Sequence, residues 1–118
     1  MRATIYSDGA KLIYLKRDEL LRNLESLAQE LAREIPEVDA LYLFGSLARG
    51  EQRGLSDVDL LAVVSVPLNR SNFWKVYERV FNFMADRLQL EFDLIVVEKN
   101  KAEETLRRLG TYLLISKT

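Results

Sequence analysis

The sequence predicts an α+β fold: a two-layer α–β sandwich whose central sheet carries helices packed on one face. Three observations predict it. Apolar runs of strand length recur at 38–44, 58–64 and 91–97. Before and between them lie two longer stretches, 18–35 and 72–89, whose apolar residues return at helical spacing. The 118 residues are the size of one ordinary domain, and 48% of them are hydrophobic, enough for a modest core. The expected organisation is one domain over 1–118, with 1–16 as an N-terminal hairpin extension.

Taken in order, residues 3–6 (ATIY) and 11–15 (KLIYL) flank Asp8-Gly9, a hairpin signal. That hairpin is read as an added edge rather than a partner-binding strand. Over 18–35, Leu20, Leu24, Leu27, Leu31 and Ile35 mark one helical face, widened by Ala28 and Ala32. Asp18 and Glu19 suit its positive end, and Pro36 stops it. Residues 38–44 (VDALYLF) form the first central strand, broken by Gly45-Ser46. Leu47 to Arg49 start a short helix with Ser46 as N-cap. Glu51 to Leu55 are a loop, and Val58 to Val64 the second strand, apolar enough to be covered on both faces.

Ser71 is the expected N-cap of the helix over 72–89. Phe73, Tyr77, Val80, Met84 and Leu88 make its stripe. Trp74, Val76, Phe81 and Phe83 fall partly outside it, which fits a wide core-facing side or a partner surface. Residues 91–97 (EFDLIVV) form the third strand, with Asp93 near its start. Residues 101–109 read as a short helix with Arg107 and Arg108 in its last turn and Gly110 just beyond it. Residues 111–116 read as a final strand; one continued C-terminal helix is the alternative, since Leu106, Leu109 and Leu113 also fit helical spacing.

Composition narrows the chemistry. The formal charge of −1, from 17 basic and 18 acidic residues, offers no general attraction to nucleic acid or anionic membranes. With no Cys and no His, disulfides and zinc-type sites are excluded, and a metal must be held by oxygen, as Mg²⁺ or Mn²⁺ is. No apolar run is long enough to span a bilayer and no secretory signal is read at the N-terminus, so the expected location is the cytoplasm.

The chemistry-bearing stretch is Leu41 to Val64 (LYLFGSLARGEQRGLSDVDLLAVV). A Gly-Ser pair leaving a strand lets backbone N–H groups face a phosphate. Asp57 and Asp59, two residues apart where a strand begins, turn their carboxylates to the same side. Carboxylates converging at 4 Å repel by about 4 kcal/mol at an effective dielectric of 20, which a divalent cation offsets.

Gly45, Ser46, Arg49, Gly50, Ser56, Asp57 and Asp59 together resemble the signature of the DNA polymerase β-like nucleotidyltransferase superfamily. GSLARGE followed by SDVDL looks most like its smallest branch, the minimal nucleotidyltransferases, here of the antitoxin type found in HEPN/MNT pairs. The resemblance covers residues 40–97 well. It implies the mixed central sheet of the nucleotidyltransferase fold. It implies that Asp57, Asp59 and Asp93 are catalytic and ligate two Mg²⁺ ions, with Mn²⁺ as a substitute. Glu91 is the runner-up for the third carboxylate. It further implies nucleotide binding by Gly45, Ser46 and Arg49, with attack on the α-phosphate of a nucleoside triphosphate and release of pyrophosphate. Arg53-Gly54-Leu55 replaces a proline-containing turn of many members, a change of loop shape rather than of chemistry.

A chain of this length leaves no room for an acceptor domain, so the acceptor hydroxyl is expected on a partner. The resemblance implies a HEPN-domain toxin as that partner and transfer of AMP from ATP as the reaction. Two alternatives stand beside it: a docking antitoxin that inhibits without catalysis, and nucleotidyl transfer to a small molecule. Direct nucleic-acid binding and membrane association are not expected.

Overall fold

A computed structural model describes residues 17–50, 58–88 and 90–117. The hairpin expected at 3–6 and 11–15 lies outside these residues. Helix α1 (Arg17–Glu34) leads into strand β1 (Val38–Phe44), the one-turn helix α2 (Gly45–Ala48) and strand β2 (Val58–Val64). Helix α3 (Phe73–Leu88), strand β3 (Phe92–Glu98), a 3₁₀ turn at Lys99–Lys101, helix α4 (Ala102–Leu109) and strand β4 (Tyr112–Lys117) complete it. The four strands form one sheet in the order β3-β2-β1-β4. The sheet is mixed: β1 runs antiparallel to β2 and β4, while β2 and β3 are parallel. A parallel pair needs a crossover, and α3 supplies it.

The two long helices cover one face, as the apolar stripes require. From α1 come Leu20, Leu24, Leu27, Ala28 and Leu31; from α3 come Val76, Val80, Phe83, Met84 and Leu88. They meet Leu41, Leu43, Leu60, Ala62, Val64, Leu94 and Val96 of the sheet. Arg87 joins the helices at their rim: its Nε donates to Glu30 at 3.1 Å, and its guanidinium lies 3.7 Å from the Phe83 ring centroid. On the other face, a smaller cluster of Ala40, Leu61, Val63 and Leu106 seats α4 against the sheet.

Two details of α3 differ from the sequence reading. Ser71 is not the cap of α3: Asn69 Oδ1 accepts the N–H groups of Ser71 and Asn72 at 2.8 and 3.0 Å, and the Ser71 hydroxyl donates to that same oxygen. The Phe73 amide at the helix start is taken by Asn69 O at 3.0 Å, and the Ser71 hydroxyl faces Asn69 instead. The α3 stripe is rotated: Val76 and Phe83 are buried, while Phe73 and Tyr77 lie at its margin and Trp74 is 67% exposed. The C-terminal part is helix then strand, as read, and not the alternative single helix: Gly110 adopts φ 87° and its N–H closes on Leu106 O at 3.2 Å.

Candidate active site

Two cross-strand rows define the face that α4 leaves open. Strand alternation puts Asp59 on the side of Leu61 and Val63, away from the main core, and Asp93 on the side of Ile95 and Val97. Asp59 and Asp93 are register partners on the parallel pair β2 and β3, so they stand side by side on one surface. Asp59 is half-buried and Asp93 exposed. Each is the second residue of its strand, at the end of the sheet where β1 gives way to Gly45.

Gly45 is where the backbone makes room for this pair. It has φ 79°, a left-handed conformation that side-chain-bearing residues rarely adopt. A Cβ built there would overlap Asp59 Oδ2 and lie 3.0 Å from Asp59 Cγ. The strand exit and the carboxylate therefore share a space that only glycine leaves open. Phe44 precedes α2 in extended conformation with no side-chain cap, so the predicted Ser46 N-cap is replaced. Ser46 sits half-buried inside the turn, and Gly45 O accepts the Arg49 N–H at 3.1 Å. Arg49 is exposed at the end of that turn.

Of the residues singled out from sequence, Gly45, Ser46, Asp59 and Asp93 are brought to one end of the sheet, with Arg49 one turn away. Ser56 and Asp57 lie outside the described residues. Glu91 precedes β3 and gives its backbone carbonyl to Val58 N–H at 3.2 Å. Among the described residues no group of three His, Cys, Asp or Glu side chains stands together as a metal cluster. The donors that are present, two carboxylates paired in register, suit a hard oxygen-seeking cation such as Mg²⁺.

Sequence reasoning missed one residue here. Arg17 donates from Nε and Nη2 to Leu47 O at 3.1 and 2.9 Å, tying the start of α1 to the turn that follows β1. A cation in the first turn of a helix opposes the macrodipole, and that misplacement was the available signal. Its reward is a charge-assisted pair of bonds to a carbonyl ending a one-turn helix.

Residues 25–114 match the family model described as polymerase beta, nucleotidyltransferase. The chain belongs to that nucleotidyltransferase family. No curated protein matches it. Among solved structures, a protein of Sulfolobus solfataricus described as a candidate nucleotidyltransferase is 24% identical, with TM-score 0.67 over 86% of this chain and 84% of that one. A toxin–antitoxin structure with AMP-PNP shares 25% identity and TM-score 0.52 over 80% of this chain and 73% of that one. A mutant of the MntA toxin–antitoxin complex shares 23% identity and TM-score 0.51 over the same fractions, 80% and 73%. All three neighbours share this chain's fold. No helix among the described residues is long and apolar enough to cross a membrane.

Proposed function

We propose that this chain transfers a nucleoside monophosphate, AMP from ATP, to a hydroxyl of a partner protein, and that the partner is the HEPN-type toxin of a toxin–antitoxin pair. The observation that carries the reading is Asp59 beside Asp93 on the open sheet face, with the left-handed Gly45 backbone closed against Asp59. The family membership and a neighbouring toxin–antitoxin structure with AMP-PNP support it.

In this reading Asp59 and Asp93, together with Asp57, would hold two Mg²⁺ ions. When bound, that metal neutralises phosphate charge and acidifies the acceptor hydroxyl. Backbone N–H groups at Gly45, the Ser46 hydroxyl and the Arg49 guanidinium hold the triphosphate. Asp93, the more exposed carboxylate, takes the proton of the attacking hydroxyl. The hydroxyl oxygen bonds to the α-phosphorus, the bond from that phosphorus to the bridging oxygen breaks, and pyrophosphate leaves with the electron pair.

The test is incubation of the chain and its partner with α-labelled ATP and Mg²⁺. Label should appear on the partner, and Asp59→Asn or Asp93→Asn should lower it by about 10³-fold or more. Absence of label with the wild-type pair overturns the reading.

The exposed Trp74 favours a second reading, docking without catalysis. Trp74 packs edge-on against Phe73 at 5.1 Å and Tyr77 at 5.6 Å, so its ring is held out rather than loose. Neutralisation of the partner that survives Asp59→Asn but fails with Trp74→Ala would favour docking.

A further inference from the structure

We propose that the carboxylate row continues into a nucleobase subsite formed by Phe44 and Tyr112, backed by Tyr42 and Leu114, and that it holds the base by stacking. The proposal rests on the nucleotidyltransferase reading and adds the part of the nucleotide that reading leaves unplaced.

The register carries it. One row crosses all four strands as Asp93, Asp59, Phe44 and Tyr112. The row behind it is Ile95, Leu61, Tyr42 and Leu114. The first row is therefore split: two carboxylates on β3 and β2, two aromatic rings on β1 and β4. Adjacent strands are about 4.8 Å apart, so Tyr112 lies roughly 10 Å from Asp59 at the backbone. That is the reach of one ribose and a base from a phosphate held at the carboxylates. No charged side chain stands in the β1 or β4 half of either row, which suits the neutral, flat end of a nucleotide.

The rings are set rather than loose. Tyr42 and Tyr112 meet edge to face, with centroids 5.5 Å apart and planes at 83°. Yet Tyr112 is 43% and Leu114 53% exposed, two of the three large apolar side chains left open among the described residues. Leu106 of α4 clusters with Ala40, Leu61 and Val63, farther along these strands from the carboxylate row. An open apolar pair beside a polar site, on the side away from Asp93, is where a base lies if the acceptor approaches from β3. Stacking reads the face of a base and not its edge, so purines should bind alike.

The experiment is calorimetric binding to the full chain with Mg²⁺, using ATP, GTP and inorganic tripolyphosphate. Tyr112→Ala should weaken ATP and GTP by between about 5-fold and 150-fold, as loss of one base–aromatic stack does, and leave tripolyphosphate unchanged. Tyr112→Phe and Tyr112→Trp should restore ATP affinity. Asp59→Asn should weaken all three ligands. Wild-type ATP affinity in Tyr112→Ala, with Asp59→Asn still impaired, overturns the subsite and leaves the nucleotidyltransferase reading standing. Equal losses for ATP and tripolyphosphate in Tyr112→Ala show a structural role and also overturn it. Failure of the wild-type chain to bind any of the three defeats the underlying reading.

Discussion

Gly45 is the position where a single methyl group decides the most. Its φ of 79° is strained for any other residue, and the Asp59 carboxylate occupies the place a Cβ would take. Gly45→Ala is expected to cost about 1–3 kcal/mol of stability from backbone strain. It should also push Asp59 from its place, with a loss of transfer activity of about 100-fold or more. Chemical denaturation and a labelled-transfer assay on the same variant check both. Gly50, also at positive φ (77°), has nothing among the described residues within 4 Å of the place a Cβ would take and should lose only the backbone share. At this scale the sequence was legible where a residue type is tied to a backbone need: Gly45 as a strand exit, Asp59 and Asp93 as acids in apolar strands. Arg17 was legible only as a cation misplaced at a helix start; its partner is a backbone carbonyl 30 residues away, and carbonyls leave no trace in sequence.

Among the elements, strands β1 and β2 fall on their expected residues, since each is a near-continuous apolar run closed by a breaker. The buried stripe of α3 is turned from the expected one, and the reason is its aromatic content. Phe73, Tyr77, Phe81 and Phe92 form a ladder of near-parallel or tilted rings, with centroids 4.9–5.9 Å apart, along the margin of the core. Hydropathy alone cannot separate a ring that lines the margin from one that fills the centre. The start of α3 gives a sharp comparison. Asn69→Ala should destabilise by about 1 kcal/mol, because Asn69 Oδ1 accepts from two backbone amides there. Ser71→Ala should change stability by less than half as much, since its hydroxyl only donates to Asn69. Thermal melts of the two variants measure the difference.

Across the whole molecule, charge works at the seams between layers rather than in the core, where no polar or charged residue is buried among the described residues. Glu37, in the turn before β1, is paired with Arg79 of α3. A hydrogen bond from its own backbone and then the Arg79 side chain hold its carboxyl below the usual glutamate range, against a smaller opposing effect of burial. A lowered folded-state value favours the folded chain once the unfolded chain has ionised. The contribution is therefore complete above the ordinary glutamate pKa and fades as pH falls toward the lowered one. Glu37→Gln should be less stable than wild type near neutrality and indistinguishable from it in strong acid, as denaturant midpoints across that range will show. Exposure of Arg79 keeps the effect small.

The overall architecture was readable because helix and strand periods differ along most of the chain. Which strand neighbours which was not readable in this way, because pairing is set by contacts distant in sequence. The β4 placement beside β1, which supplies Tyr112, is of that kind.

The parallel pairing of β2 and β3 carries one more consequence. Asp59 and Asp93 become neighbours only after the chain between them has climbed back over the sheet and closed. A ligand gripped by both acids is then a clasp fastened at the end of folding, and its hold on the native chain adds to the work of unzipping it.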